Sequence, residues 1–315
     1  MRPMAGHGSN AFRPRLPGWF RVRLRQGPDF SLVRSLVHRQ GLHTVCEASR
    51  CPNLWECWNQ RTATFMILGD VCTRRCGFCA VATGRPPGPD PDEPERVAEA
   101  VGRLGLRHAV ITSVNRDDLP DGGAEMFART LEAVRRRNPG CTLEVLVPDF
   151  RGDPGAVRRV LAAAPEIFGH NVETVPRLYP RVRPQARYAR SLEVLRLAKA
   201  WGGGRVRVKT GLMLGLGETL DEVRAVMRDL RDAGVDFLTL GQYLQPTRAH
   251  LPVVQYLHPE AFAALREEGL ALGFRHVESG PRVRSSYHAE RQAAAAPRGA
   301  PAISPRPPDS PAGDR

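Results

Sequence analysis

The sequence has 315 residues, of which 42% are hydrophobic, and it carries a formal net charge of +13. A chain of this length can bury a large core, as one barrel-sized domain or two smaller ones. It contains no apolar run long enough to span a membrane and no signal-peptide pattern at its start, which argues against membrane-spanning and exported proteins. We therefore expect a cytoplasmic protein.

The positive charge comes mostly from arginine and is unevenly placed. Residues 1–25 contain six arginines and no acidic residue. Such a field attracts nucleic acid, an anionic small molecule or an acidic protein alike, because long-range attraction does not distinguish them. A solvated, arginine-rich surface explains the charge equally well. The charge alone therefore selects no partner.

In chain order, the first and last segments lack apolar periodicity and are rich in Pro, Ala, Gly and Arg. We expect both of them, residues 1–17 and 292–315, to be disordered. Between them we predict an N-terminal extension at residues 18–62, a main domain at residues 63–278 and a short C-terminal segment at residues 279–291.

Six β-like runs alternate with helical stretches through the main domain. The runs are TATFMILG, HAVITSV, TLEVLVP, EIFGHNVE, RVRVKTGLML and VDFLTLGQY. The helices predicted between them cover residues 94–104, 124–138, 154–164, 189–201 and 219–233. This alternation predicts a parallel sheet with outer helices, closed or partly closed into a barrel. In such folds the chemistry lies at the C-terminal ends of the strands.

Three cysteines follow the first of these strands directly. Cys72, Cys76 and Cys79, in VCTRRCGFCAV, form what we call the second triplet. Three thiolates on one short loop suit a 4Fe–4S cube whose fourth iron stays open to a substrate or cofactor. A zinc site completed by His43, His108 or another cysteine is the alternative.

Another group of three cysteines lies upstream, in the predicted extension. Cys46, Cys51 and Cys57, in CEASRCPNLWEC, form the first triplet. A closed metal site usually takes four ligands, so each triplet is one ligand short. Six clustered cysteines out of seven suit metal ligation better than a framework of distant disulfides, and they indicate a reducing compartment.

The second triplet, with Phe78 before its last cysteine, resembles the C-x3-C-x2-C signature of the radical S-adenosylmethionine (SAM) enzymes. The first triplet and the blocks VITSVNRDDLPDGGA, GHNVETVPRLYPRVRP, GLMLGLGET and SGPRVRSSYHA are similar to the lipoyl synthase family, and the resemblance runs from about Pro17 to Glu290. It implies an α/β fold, the partial (β/α)6 barrel of TIM type found in the radical SAM superfamily, with an N-terminal extension that binds a cluster.

The resemblance also implies an activity, that of a radical SAM sulfurtransferase. Lipoyl synthases insert two sulfur atoms, at C6 and C8, into an octanoyl chain held as an amide on a lysine of a lipoyl carrier domain. The resemblance implies two 4Fe–4S clusters. One, on the second triplet, binds SAM and cleaves it to a 5′-deoxyadenosyl radical. The other, an auxiliary cluster on the first triplet, supplies the sulfur, and each product consumes two SAM molecules.

The auxiliary cluster needs a fourth ligand that can dissociate from its iron. The resemblance gives this role to Ser286, with Ser285 as the near alternative, and a serine oxygen is a hard, unusual ligand for iron. Cys141 is the rival for the same place. It stands at a strand entrance, however, whereas the chemistry of a barrel lies at the opposite strand ends.

SAM is expected to contact further residues on the loops of the barrel. The resemblance implies that Gly122 and Gly123 approach its amino group closely enough to accept hydrogen bonds through their carbonyls. Asn171 and Glu173 are expected to bind its ribose or its methionine part. An arginine suits its carboxylate, because the guanidinium is a rigid fork of donors. Arg183 is our first candidate, and the others are Arg181 and Arg284.

The implied partners are octanoylated carrier domains, namely the E2 subunits of 2-oxoacid dehydrogenases and the H protein of glycine cleavage. An electron donor such as ferredoxin or flavodoxin and iron–sulfur carrier proteins are implied as well. We expect a monomer with no nucleic-acid or membrane partner.

Two other function classes stay open at this point. A different radical SAM sulfurtransferase, acting on biotin precursors or tRNA, would share the second triplet but should lack the spacing of the first triplet paired with the Arg-Ser-Ser-Tyr block. A zinc protein that binds nucleic acid would explain the charge, but it would not explain the barrel.

Overall fold

The computed structural model describes residues 15–21 and 27–290. The disorder predicted for residues 1–14 and 292–315 lies outside the described residues. The strands are β1 (His43–Thr44), β2 (Thr64–Ile67), β3 (Val71–Cys72), β4 (Ala82–Thr83), β5 (His108–Ser113), β6 (Thr142–Leu146), β7 (Ile167–Gly169), β8 (Arg207–Leu214), β9 (Phe237–Gln242) and β10 (His276–Gly280). The α-helices are α1 (Pro28–Arg39), α2 (Val45–Ala48), α3 (Leu54–Asn59), α4 (Glu93–Leu104), α5 (Ala124–Arg137), α6 (Pro154–Ala162), α7 (Tyr179–Val182), α8 (Tyr188–Trp201), α9 (Leu220–Asp232) and α10 (Pro259–Ala271).

One large sheet organises the molecule, in the order β1-β2-β5-β6-β7-β8-β9-β10. Every neighbouring pair is parallel except β1 with β2, which is antiparallel. The six predicted strands are β2 and β5 to β9, each followed by a connection that carries helix. The two edge strands, β1 and β10, do not pair with each other, so the barrel is open on one side. The predicted α/β partial barrel is confirmed.

The strands and helices follow from simple patterns in the sequence. Strand β5 is buried along almost its whole length, as expected of a parallel strand covered on both faces. Helix α4 turns its small and branched apolar residues, such as Val97 and Val101, inward, and charged residues such as Glu95 and Arg103 outward. Helix α9 begins with a capping box, in which Thr219 and Glu222 each satisfy the other's backbone N–H.

The predicted helices of the main domain begin and end within two residues of the observed ones. The prediction missed the strands β1, β3, β4 and β10 and the helices α1, α2, α3, α7 and α10. Strand β10 is short and contributes a single buried hydrophobic residue, Val277, so it has little apolar alternation to detect. Its place in the sheet depends on pairing with β9 along five residues.

Helices α1 and α3, which precede β2, pack against the barrel and share its core. Phe30 of α1 stacks on Trp55 of α3, with 4.6 Å between ring centroids and 7° between ring planes. Trp58 is fully buried beside them, and Phe30 and Trp58 belong to the same hydrophobic cluster as the barrel strands. Burial of these large rings fixes α3, which carries Cys57, against the sheet. The domain boundaries proposed from the sequence stay predictions.

A buried charged group lies among the barrel strands, where Lys209 Nζ donates to Glu144 Oε1 over 2.7 Å. His108 Nε2 lies 3.3 Å from the other oxygen of Glu144, and all three side chains are almost completely buried. Burial alone would raise the pKa of Glu144, but Lys209 and His108 outweigh burial and lower it. His108 is therefore a partner of Glu144 in the core.

Candidate active site

A cavity of about 450 Å³ lies at the C-terminal ends of the barrel strands. Its walls include the last residues of β5, β6, β8 and β9, where the chemistry of a barrel is expected. All six cysteines of the two triplets line it, so segments separate in the sequence face one space. The other predicted site residues that line it are Asn171, Glu173, Arg183, Arg284, Ser285 and Ser286.

The second triplet begins with Cys72, the last residue of β3, and continues with Cys76 and Cys79 on the loop from β3 to β4. The backbone N–H of Arg74 points at the sulfur of Cys72 over 3.4 Å. His250 Nε2 donates to the carbonyl of Cys79 over 2.9 Å. At Gly77 a Cβ would come within 2.9 Å of the Leu251 side chain, so this tight packing requires glycine. The loop is therefore held by strands and loops of the barrel on several sides.

Arg74 anchors this loop through its side chain, which is only 3% exposed. It forms two hydrogen bonds to Asp117, of 2.6 and 2.9 Å, and one to Asp149, of 2.5 Å. Burial alone would raise the pKa of Asp149, but hydrogen bonding and charge from Arg74 hold it at about 2. Arg190 lies 3.2 Å from the second oxygen of Asp149. The network ties the cluster loop to the loops after β5 and β6.

The first triplet is built by two short helices. Cys46 lies on α2, Cys57 on α3 and Cys51 on the turn between them. The Thr44 hydroxyl caps α2 by accepting from the Glu47 N–H over 3.3 Å. These helices are too short to be stable alone, so their packing on the barrel holds the triplet.

Residues 282–287 of the C-terminal segment cover the first triplet. Asn53 Nδ2 donates to the carbonyl of Arg282 over 2.7 Å. Glu56 accepts from Arg282 Nη1 over 3.2 Å and from the Tyr287 hydroxyl over 2.9 Å. Both oxygens of Glu56 are thus engaged by the segment that carries the two candidate serines. We call these contacts, made by Asn53, Glu56, Arg282 and Tyr287, the C-terminal clamp.

The two serines differ in their surroundings. The Ser285 hydroxyl accepts a 2.6 Å hydrogen bond from Asn171 Nδ2. The Ser286 hydroxyl lines the same cavity and has no hydrogen-bond partner in the part of the chain that the structure describes. Ser285 is therefore hydrogen-bonded to the barrel, whereas the Ser286 hydroxyl is available to a ligand in the cavity.

The cysteines of the triplets are free thiols, of which Cys46 and Cys72 are buried and the other four are partly exposed. Burial, together with the neighbouring Cys51, raises the pKa of Cys46 to about 11. Burial raises the pKa of both Cys57 and Cys79 to about 12, and it raises the pKa values of Cys51 and Cys76 as well. Such thiols stay protonated near neutral pH, and a cationic iron centre would convert them to thiolates.

The donor set fits iron–sulfur clusters and SAM. Among residues 15–21 and 27–290, no three His, Cys, Asp or Glu side chains converge as ligands of a single ion. A four-iron cube does not need that, because each thiolate binds a different iron. Four residues of the cavity wall have a buried polar atom with no partner among the described residues, which suits contact with a bound ligand: Asn53 Oδ1, Ser113 Oγ, Asn115 Oδ1 and Arg183 Nε.

Sequence reasoning did not single out Ser113 and Asn115. The signal was present in VITSVN, because both residues follow the apolar part of β5 at its C-terminal end. Two polar side chains at that position are candidates for contact with a ligand.

The structure does not bring Gly122 and Gly123 to the cavity wall. They have positive φ values of 61° and 93° at the start of α5, and a Cβ on them would meet Phe150 and Leu68 respectively. Their place in the fold is accounted for by this turn and its packing. The predicted contact of these glycines with SAM therefore has no support from the cavity.

The three candidate arginines lie in different places. Arg183 is buried at the cavity wall, where its Nη1 donates to the carbonyl of Asn171 over 2.9 Å and its Nε has no partner. Arg284 lines the cavity and shifts the pKa of Cys51 downward against the larger effect of burial. Arg181 is exposed and does not line the cavity.

Cys141, the rival ligand, lies away from both triplets in the chain and does not line the cavity. It is buried directly before β6, at the strand entrance. Burial, followed by the nearby Glu166, raises its pKa to about 11. It has the character of an inert core thiol.

Comparison with known proteins agrees with this geometry. The sequence profile described as the Radical SAM superfamily matches residues 66–230. The lipoyl synthase of Rubrobacter xylanophilus is 61% identical over 284 residues, which cover 90% of this chain and 88% of the relative. The mitochondrial lipoyl synthase of Nematostella vectensis is 54% identical over 284 residues, which cover 90% of this chain and 97% of the relative.

Solved structures support the fold. Methylornithine synthase aligns with a TM-score of 0.53 at 14% identity, over 68% of this chain and 69% of that one. SuiB of Streptococcus suis, bound to its precursor peptide, also aligns with a TM-score of 0.53, at 12% identity over 72% of this chain and 50% of that one. The chain belongs to the lipoyl synthase family of the radical SAM superfamily.

Proposed function

We propose that the cavity between the two triplets is where this chain carries out the lipoyl synthase reaction. Two sulfur atoms are inserted at C6 and C8 of an octanoyl chain bound to a lysine, and two SAM molecules are consumed for each product. The observation that carries the proposal is that both cysteine triplets line one cavity at the C-terminal ends of the strands.

The cysteines divide the work between two clusters. Cys72, Cys76 and Cys79 would hold the cluster that binds SAM, and Cys46, Cys51 and Cys57 would hold the auxiliary cluster. When bound, these groups supply the radical that removes hydrogen from an unactivated carbon and the sulfide that replaces it. The role of the chain is to hold both groups on opposite sides of the substrate and to keep water out.

Ser286 is the proposed fourth ligand of the auxiliary cluster. Its hydroxyl has no partner among residues 15–21 and 27–290, whereas the neighbouring Ser285 accepts a hydrogen bond from Asn171. The C-terminal clamp holds the backbone on both sides of Ser286 against the residues between Cys51 and Cys57. An oxygen ligand is a weak partner for iron compared with a thiolate, which suits a position that opens during turnover.

SAM is proposed to lie on the barrel side of the cavity. Ser113 and Asn115 have buried, unpaired oxygens there, and Asn171 and Glu173 line the same wall. Burial raises the pKa of Glu173, an effect that Arg183 and Asn171 partly offset. The apolar part of the cavity, which includes Leu146, Val147, Met213 and Leu244, suits the octanoyl chain.

The proposed partners follow from the same reaction. The substrate arrives on a lipoyl carrier domain, such as an E2 subunit or an H protein, and ferredoxin or flavodoxin delivers electrons. Iron–sulfur carrier proteins would rebuild the auxiliary cluster. None of the described helices has both the length and the apolar character of a membrane span. We propose the cytoplasm as the compartment, since the triplets require reduced cysteines.

The direct test uses anaerobically reconstituted protein with SAM, dithionite and an octanoyl-lysine peptide. Mass spectrometry of the peptide should show the singly and then the doubly thiolated product. Metal analysis of the same sample should find roughly eight irons per chain, as two cubes require. A stoichiometric zinc content, or a peptide that stays unchanged while SAM is cleaved normally, would overturn the proposal.

A further inference from the structure

The loop that carries the second triplet has two faces. Arg74, Cys76 and Phe78 line the cavity, whereas Arg75 and Gly77 do not. The Arg75 side chain is exposed to solvent. From Arg74 to Phe78, alternate residues of the loop therefore line the cavity, and Cys76 lies one residue from Arg75 on the outer face.

Two other segments surround the outer face of this loop. Gln185 Oε1 accepts from the Arg75 N–H over 2.7 Å, and the carbonyl of Val182 accepts from the Gly77 N–H over 2.9 Å. On the other side, the Leu251 N–H donates to the carbonyl of Gly77 over 2.9 Å. Residues near 181–187 and 247–251 thus form one surface with the outside of the loop.

This surface is positive and carries no neutralising charge of its own. The segments 71–87, 174–187 and 244–257 contain no Asp or Glu. Five exposed arginines on them form no ion pair within the described part of the chain, and one of these, Arg85, acts on the charge of Asp118. The other four have no such acidic neighbour on these segments. We call them the outer arginine surface: Arg75, Arg181, Arg187 and Arg248. Other exposed arginines are paired with acidic residues, as Arg103 is with Glu99 and Arg136 with Glu95.

Resting on the function proposed above, we propose that the outer arginine surface docks an acidic one-electron donor protein with a flavin or iron–sulfur centre. The donor loses one electron, and the iron–sulfur centre held by the second triplet gains that electron. Electron transfer weakens steeply with distance, and this surface covers the outside of the loop that holds the three thiols. Positive side chains without partners attract an acidic protein and orient it.

The position of the surface argues for the donor and against the carrier domain as its occupant. The octanoyl-lysine arm of the carrier must enter the cavity, and none of the four arginines lines the cavity. A donor on the outer face would leave the cavity open to the arm. Both partners can then bind to one chain at the same time.

The test compares two variants that remove the same charge. The first combines Arg75→Gln with Arg248→Gln on the outer arginine surface. The matched control combines Arg205→Gln with Arg228→Gln. These control residues are exposed and, like the first pair, form no ion pair inside residues 15–21 and 27–290. They lie in the loop before β8 and on α9.

Calorimetry of each loaded protein with oxidised flavodoxin measures affinity without turnover. We expect the dissociation constant of the first variant to rise roughly tenfold at low ionic strength, and that of the control to stay within about twofold of the unsubstituted protein. The difference should vanish in about 0.5 M salt, because exposed charges are screened. Stopped-flow oxidation of the reduced flavodoxin should slow in parallel.

Dithionite in place of flavodoxin separates the donor from the carrier. The first variant should then form thiolated product from the octanoyl carrier domain at the unsubstituted rate. A raised KM for the carrier domain under these conditions, or an equal loss of flavodoxin affinity in the control, would overturn the docking proposal. Failure of the proposed function would look different, since the unsubstituted protein itself would then lack clusters or product.

Discussion

The two cysteine triplets face the same cavity but are held in different ways. The second triplet is fixed from within the barrel, through Arg74 and its two aspartates on neighbouring loops. The first triplet is closed by a segment more than 220 residues away in the sequence, through Asn53 and Glu56. The second triplet is therefore held by contacts between loops of the barrel. The first triplet also requires contacts from the C-terminal segment.

The strength of the two anchors differs because their burial differs. The side chains of Arg74 and Asp149 are 3% and 0% exposed, whereas those of Arg282 and Glu56 are 34% and 32% exposed. Breaking a buried pair leaves an uncompensated charge, but a half-exposed pair exchanges its partner for water. The barrel side is thus built to stay rigid. The contacts that close the first triplet are the weaker of the two sets, because water can reach and replace them.

The largest expected effect comes from the rigid side. Cys76→Ala should remove one of the three thiolates of the SAM-binding cluster and abolish formation of 5′-deoxyadenosine. The cube should be lost, because two loop thiolates do not hold it. Iron analysis and chromatography of the SAM products measure both effects. Normal 5′-deoxyadenosine production in this variant would contradict the assignment of the second triplet.

A substitution in the first triplet should separate SAM cleavage from sulfur insertion. Cys51→Ala should abolish both thiolated products, yet SAM should still be cleaved, because Cys72, Cys76 and Cys79 come from a different loop. Mass spectrometry of the octanoyl peptide and assay of 5′-deoxyadenosine on the same sample test this. If lipoyl product still forms, the sulfur comes from elsewhere and the comparison between the triplets fails.

The next effect concerns stability. Arg74→Ala should lower the free energy of unfolding by about 3–5 kcal/mol, because Asp149 stays buried and loses its main partner. The matched control is Arg96→Ala, which removes an exposed pair with Asp90 and should cost about 0–1 kcal/mol. Urea titration under anaerobic conditions provides both values. Equal costs for the two variants would show that the buried network does not anchor the loop.

The smallest effect is expected at the C-terminal clamp. Glu56→Gln should speed hydrogen exchange in residues 282–290 roughly tenfold, because hydrogen bonds to a charged group are weakened. Exchange in β8 and β9 should stay unchanged. Glu47→Gln, which removes the same charge from α2 without touching the clamp, should leave both regions as they were. Unaltered exchange in residues 282–290 of the Glu56 variant would mean that the clamp does not close the segment.

Local features of this chain could be predicted from its sequence, and so could its family. Six strands and five helices of the main domain were found by apolar periodicity, which is encoded in neighbouring residues. The spacing of the second triplet indicated a 4Fe–4S site, with a zinc site as the alternative, because one short segment carries all three thiols. The resemblance to the lipoyl synthase family then assigned a task to each triplet, and the relatives bear out the family.

Only the tertiary structure decided how these parts meet. It brought both triplets to one cavity, occupied Ser285 with Asn171 while leaving Ser286 free, and kept Gly122 and Gly123 away from the cavity wall. It also formed the C-terminal clamp. These outcomes depend on contacts between residues far apart in the chain and on the direction of single side chains. Periodicity and spacing carry no information about either, because they describe only what lies within a few residues.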